Sequence, residues 1–370
     1  MTIVILVLTA GFGDGHNTAA ASVAEALRQS LPGEQVLVSD LVSEVQPRTA
    51  GVLKSLYQVA ITHLPWAWSA LYRMLAKSDL DPKQNAWMHP LLSGLSKQIE
   101  ELKPCVIVST YPLYAGLLAS LRQKMEVPPL VTVITDSTSV HPIWLMAPSD
   151  LYCVSDVETD DVILKMGVPP AKTRITGFPV SLQFTETLPE ELLCHSGQRI
   201  LYLPSTPARH VAATLEALRP LIEQGAKLTI PVGKHRSRLY HVLRRYIDSI
   251  PEGALNIIGW TSRIPELLRT HDVVICKAGG AILHEVMASR TPAVIDYVVP
   301  GQEEGNADYL LSRHCALRSH TAAETGVQAA AALANNGKLV RQMRENLLPI
   351  SVPDAALRVA HEVQEMMKAR

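Results

Sequence analysis

The chain has 370 residues, enough for two domains of ordinary size that each bury a core. Hydrophobic residues make up 47% and charged residues only 19%, with 34 basic against 35 acidic side chains, so the chain offers no strongly basic face and no nucleic-acid partner is expected. Five cysteines, at 105, 153, 194, 276 and 315, are odd in number and without CxxC spacing, which suits a reducing compartment and argues against a zinc ribbon or a disulfide framework.

The first element is an apolar run over residues 3–8. It lacks a basic leader and is too short for the core of a signal peptide, so it is read as a buried first strand. No stretch reaches the roughly 18 uninterrupted apolar residues of a membrane span, and any contact with lipid is expected to be peripheral. The strand runs into Gly11-Phe12-Gly13-Asp14-Gly15-His16 and then into a helix predicted to begin near Thr18. A dinucleotide fingerprint requires glycine where His16 stands, so NAD is disfavoured. On spacing alone, His16 is either an imidazole that exchanges a proton with a hydroxyl at the mouth of a cleft or a residue that caps the turn.

Apolar, β-branched runs recur at 36–38, 106–109, 130–134 and 151–154, with helical patterns at 19–30 and 113–123 between some of them. That alternation predicts a parallel sheet covered by helices. Within this half, Leu53, Leu56, Tyr57, Ala60, Ile61 and Leu64 share one helical face, which breaks at Pro65 and continues with Trp66, Trp68, Leu71, Tyr72 and Leu75. Lys54, Arg73 and Lys77 flank the stretch, as in an interfacial segment, although its first half also suits a core helix. Asp79-Leu80-Asp81 matches a metal-binding DxD by chance, because it precedes proline instead of ending a strand. After the run at 130–134 come Thr135, Asp136, His141 and Trp144. Asp136 there orients a histidine, takes a proton itself, or caps the next segment.

A proline- and glycine-rich stretch at 177–189 marks a domain boundary near residue 180, giving domains 1–180 and 181–353 and a terminal helix 354–370 that returns to the first domain. Strands are predicted at 200–203, 228–232, 254–258, 273–276 and 293–296. The run at 273–276 ends at Ala278-Gly279-Gly280 and a helical pattern begins at once. Free N–H groups at a helix N-terminus beside glycine make a phosphate-binding corner. Glu285 follows on that helix, placed to accept hydrogen bonds from ribose hydroxyls, and Gln302, Glu303 and Asn306 follow the next strand as hydroxyl-binding side chains. His284-Glu285 and His361-Glu362 lack the second histidine of a zinc-protease motif, so a zinc protease is not supported.

The glycine loop with His16, Thr135-Asp136 with His141 and Trp144, Gly177-Phe178-Pro179-Val180, Gly233-Lys234, Gly259-Trp260, and the segment from Lys277 to Asn306 occur in the order found in one family. Together they resemble the monogalactosyldiacylglycerol synthases and the bacterial processive diacylglycerol glucosyltransferases, relatives of the peptidoglycan enzyme that adds N-acetylglucosamine to a lipid-linked sugar. The resemblance implies an α/β fold of GT-B type, with two Rossmann-like, doubly wound parallel-sheet domains facing a central cleft. It implies an inverting enzyme that moves a hexose from a UDP-sugar to diacylglycerol with no cofactor and no bound catalytic metal, peripheral on the cytoplasmic face of the cell membrane, with anionic lipids as further candidate partners.

By motif match, His16 is the acceptor-side catalytic histidine and Asp136 a supporting or alternative base. Gly279 and Gly280 hold the phosphates, Glu285 the ribose, the backbone at Ile258, Gly259 and Trp260 the uracil, and Gln302, Glu303 and Asn306 the donor sugar. Gly233 belongs to the donor side, and Lys234 or Lys277 supplies positive charge. Gly13, Gly15, Tyr57, Trp66, Trp68, Tyr72, His141 and Trp144 form the acceptor and membrane side. The chain departs from the family at Leu203-Pro204-Ser205-Thr206-Pro207, where relatives carry a glycine-rich loop, so donor geometry is open there. The competing readings are a UDP-sugar 2-epimerase of the same fold, a transferase of the N-acetylglucosaminyl type with another lipid acceptor, and a non-catalytic binding protein.

Overall fold

The computed structural model describes residues 3–63, 85–189, 198–233, 236–247, 250–300 and 303–369. The chain forms two compact units, Met1–Leu182 with Asp354–Arg370, and Gln183–Pro353. Trp66, Trp68, Tyr72, Asp79, Asp81, Lys234 and Gln302 lie outside the described residues, as does the side chain of Tyr57.

The first unit holds a parallel sheet of β1 (Val4–Leu8), β2 (Gln35–Ser39), β3 (Val106–Ser109), β4 (Leu130–Val133), β5 (Leu151–Val154) and β6 (Thr173–Ile175), in the order β2-β1-β3-β4-β5-β6. Helices cover both faces, which is why the central strands β3 and β4 are buried at every position. Alternate residues of β1 divide between the two faces. Ile5 and Val7 pack with Val23, Ala24 and Leu27 of α1 (Asp14–Ser30), whereas Leu6 and Leu8 pack with Leu91 and Leu95 of α4 (His89–Leu102). Between them in sequence lie α2 (Leu41–Val45), capped by the Asp40 carboxylate on the Ser43 N–H, and α3 (Pro47–His63). Two further helices of the unit among the described residues are α5 (Leu113–Leu121) and α6 (Val157–Lys165).

The second unit repeats the scheme with β7 (Arg199–Tyr202), β8 (Lys227–Pro231), β9 (Leu255–Ile258), β10 (Val273–Lys277), β11 (Ala293–Tyr297) and β12 (Ala316–Arg318), ordered β12-β11-β10-β7-β8-β9. Its helices are α7 (Ala208–Glu223), α8 (Arg236–Ile247), α9 (Ile264–Thr270), α10 (Gly280–Ser289), α11 (Glu304–Leu311) and α12 (Ala322–Leu347), the last broken at Ala334, Asn335, Asn336 and Gly337. The final helix, α13 (Ala355–Lys368), lies in the first unit. It buries Ala356, Val359, Ala360 and Val363, a stripe at helical spacing, in the same core as α1.

Strand order reverses at β1/β3 in the first sheet and at β7/β10 in the second. A crevice opens at such a reversal beyond the carboxyl ends of the strands, because the flanking helices leave to opposite faces. Three elements depart from the sequence pattern. β6 and β12 are three-residue edge strands, half-exposed and too short to give an apolar run. α1 begins at Asp14, a full turn before the predicted start, because Gly13 at φ 98° turns the chain within a single residue.

Candidate active site

The early start of α1 puts His16 in its first turn, at the β1/β3 reversal. The His16 Nδ1 lies 3.0 Å from the carbonyl oxygen of Thr110, just past β3, and 2.7 Å from Oγ1 of Thr135, past β4. A carbonyl can only accept, so Nδ1 carries the proton and the lone pair of the neutral ring sits on Nε2. Thr110 closes the contact from its side, its hydroxyl donating to the His16 carbonyl at 3.0 Å. Tyr111 meets the imidazole edge-on with centroids 5.0 Å apart, and Trp144 lies tilted at 6.1 Å. Burial among these groups lowers the pKa of His16 below 6.5, more than the Asp136 charge and the Thr110 carbonyl raise it. The ring is therefore neutral at physiological pH, oriented, and basic at Nε2.

Asp136 acts on His16 by charge, and its Oδ2 accepts the His141 N–H at 3.2 Å. His141 is buried, and its Nδ1 accepts the N–H of Ile143 at 3.2 Å, which caps the short helical turn Pro142–Leu145. Trp144 is only 1% exposed and packs with Ile134, Val140, Tyr152 and Val154. These two side chains, expected on the acceptor and membrane side, are interior residues instead, because the segment folds back over β4 and β5. Gly15 is in the first turn of α1 beside His16.

In the second unit the expected donor residues fall at the carboxyl ends of four strands, β8 and β9 on one side of β7 and β10 and β11 on the other. Gly233 follows β8 with φ 49°, Ile258 ends β9 ahead of Gly259 and Trp260, Lys277 ends β10, and Glu303 and Asn306 follow β11. Parallel register with β11 slips between Cys276 and Lys277, and the chain then turns into α10 through Gly279. Gly279 has φ −67°, open to any residue, and an added Cβ would meet Ile282, Lys277 and Glu303 no closer than 3.6 Å. Neither backbone nor packing explains glycine here, and no side chain caps the helix.

Glu285, in the second turn of α10, is half-buried and makes no hydrogen bond among the described residues. Desolvation pushes its carboxyl up to about 7. A carboxylate held this way gains most from hydroxyl donors that a ligand brings.

Three expected ligands are already engaged. Lys277 pairs with the buried Glu303, whose other oxygen accepts the Val299 N–H at 3.0 Å. Lys277, expected with Lys234 as an alternative source of positive charge, is thus balanced by Glu303, and this carboxylate also holds the loop. Asn306 donates to the Ala278 carbonyl at 3.3 Å, which anchors α11 to the glycine corner. Trp260 is 76% exposed, an unusual position for so large an apolar ring.

Sequence reasoning missed Tyr111, which no motif marks, and the pair His210–Asp296. His210 Nε2 lies 3.2 Å from Oδ2 of the buried Asp296, in the first turn of α7 and at the end of β11. Their separation of 86 residues leaves no local signal.

Residues 16–180 match the model of the monogalactosyldiacylglycerol (MGDG) synthase family. The chain is 28% identical over 371 residues to a processive diacylglycerol beta-glucosyltransferase of Bacillus cytotoxicus, covering 98% of this chain and 93% of the relative. Among solved structures, the UDP-GlcNAc 2-epimerase of Neisseria meningitidis bound to UDP-GlcNAc aligns over 100% of both chains with TM-score 0.63 and 13% identity. MurG of Acinetobacter baumannii aligns over 99% of this chain and 100% of its own, with TM-score 0.59 and 14% identity. These likenesses identify the fold as the GT-B fold.

Proposed function

We propose, from the match of residues 16–180 to the monogalactosyldiacylglycerol synthase family model and the likeness to diacylglycerol glucosyltransferases, that this glycosyltransferase moves a hexose from a UDP-sugar to the free hydroxyl of diacylglycerol, inverting the anomeric carbon. The observation that carries the reading is His16, neutral, fixed through Nδ1 by a carbonyl and basic at Nε2. An acceptor alcohol is too weak a nucleophile unless a base takes its proton as it attacks. In the proposed step that proton passes to Nε2, the oxygen bonds to the anomeric carbon, and the bond to the diphosphate oxygen breaks. UDP leaves with the electron pair, and attack from the face opposite it gives the β-glycoside.

Incubation of the purified chain with UDP-glucose or UDP-galactose, with and without diacylglycerol vesicles, tests the proposal by mass spectrometry of the lipids. A hexosyl glycerolipid formed only with vesicles is expected. Conversion of the UDP-sugar without any lipid would instead make the chain an epimerase.

Unexplained by fold, Gly279 supports close approach of the diphosphate to α10. Gly279→Ala is expected to change stability by less than about 1 kcal/mol yet weaken UDP binding about tenfold or more. Calorimetric titration and thermal unfolding check this together, and lost stability with intact UDP affinity would assign the glycine to folding.

The lipid side of the reading is supported by α3, which turns Val52, Leu53 and Leu56 outward at 60%, 41% and 59% exposure. No helix of the described residues is long and apolar enough to cross a membrane. Three outward aliphatic side chains on one helix suit a bilayer interface, where their burial is favourable. Changing all three to serine is expected to reduce cosedimentation with diacylglycerol vesicles by about tenfold or more, with UDP affinity unchanged. Unchanged vesicle binding removes α3 from the lipid contact.

A further inference from the structure

The loop Leu203–Pro207 follows the strand at which the second sheet reverses, where a nucleotide's phosphates would meet the chain. It is poor in donors, because Pro204 and Pro207 have no N–H and the Ser205 N–H is spent on the Leu203 carbonyl at 2.9 Å. A diphosphate there needs positive charge from elsewhere, and Lys277 is neutralised by Glu303.

Arg238, in the first turn of α8, reaches this loop: its Nη2 donates to the Pro204 carbonyl at 3.3 Å. That bond fixes the guanidinium beside the loop and uses one of its five N–H donors, with no carboxylate paired to it among the described residues. A second, separate observation marks the same place. The hydroxyl of Thr206, within the loop, is buried and makes no close hydrogen bond among the described residues, and the buried hydroxyls of Tyr202 and Thr214 lie near it, with Tyr202 facing Thr206, Thr214 and Asp296. Buried hydroxyls left unpaired are costly and collect where a ligand or water completes them.

We propose that Arg238, held on the Pro204 carbonyl, binds the diphosphate of the sugar nucleotide, with the Thr206 hydroxyl beside it, in place of the N–H donors that the prolines remove. The proposal rests on the reading that this unit takes a UDP-sugar. A guanidinium suits the task because its fixed fork matches two phosphate oxygens at once. His210 borders the same loop, but its Nε2 is tied to Asp296, so it stiffens the loop's exit into α7.

Calorimetric titration of the full chain with UDP and with uridine tests the assignment. Arg238→Met is expected to weaken UDP about 10- to 100-fold and uridine less than about twofold, with Arg238→Lys in between because it keeps the charge and loses the fork. Uridine affinity doubles as the check that the variants are folded. UDP affinity unchanged within twofold in Arg238→Met overturns the role of Arg238 and leaves the proposed function standing. A wild-type chain that binds uridine and UDP equally, or neither, overturns both.

Discussion

Replacement of His16 by glutamine is expected to lower kcat about 10²- to 10⁴-fold, the range that a positioned general base contributes, while UDP affinity stays within twofold. The effect is confined to kcat because His16 belongs to the first unit and the nucleotide reading to the second. The pH profile adds a sharper criterion. Burial lowers the His16 pKa from 6.5, so the working neutral form persists at pH 7 and is lost only as pH falls through a value below 6.5. The acid limb of kcat should therefore lie below 6.5. Asp136→Asn removes the charge that raises this pKa and should move the limb lower still. Full turnover in the glutamine variant, or an acid limb above 6.5, would displace His16 from the role of base.

Glu285→Ala is expected to weaken UDP about 10- to 150-fold, the loss of hydrogen bonds to a charged partner. Its partner in the proposal is the ribose, so 2′-deoxy-UDP should bind wild-type protein more weakly than UDP but bind the variant nearly as well as UDP does. The carboxyl sits at about 7, and ribose hydroxyls donate to its ionised form. UDP affinity of the wild type should thus fall as pH drops below 7, a limb that Glu285→Gln lacks.

Stability moves the opposite way. A folded pKa above the unfolded value of 4.5 contributes stability that is complete below 4.5 and is lost as pH rises through 7. Glu285→Gln avoids that loss and should be more stable than wild type at pH 8, by about 1–3 kcal/mol. The difference should vanish near pH 4. A glutamine variant destabilised at pH 8 would mean that the carboxylate has a partner in the fold.

The glycine corner after β10 was legible in the sequence because its parts are local. A strand, a glycine pair, a helix and Glu285 lie within 13 residues, from Val273 to Glu285, and periodicity alone places them. The His16 loop was legible for the same reason, although its helix starts a turn earlier than the apolar pattern suggests. Polar residues in the first turn carry no periodic signal, and only the backbone at Gly13 reveals the start. Motif match puts Trp144 on the acceptor and membrane side, and the structure buries it in the core beside His16. Nothing in a single sequence tells an aromatic side chain that meets lipid from one that meets its own sheet.

By itself the sequence determined the α/β class, the two parallel sheets and the residues at the ends of their strands, because these depend on patterns a few residues long and on the hydrophobic burial that such patterns impose. Tertiary structure alone decided the protonation and use of those residues. The Thr110 carbonyl that sets the His16 tautomer is 94 positions away, Glu303 that cancels Lys277 is 26 away, and the Pro204 carbonyl that holds Arg238 is 34 away. Charge, tautomer and hydrogen bonding are properties of pairs, and the pairs form only when the strands are brought edge to edge.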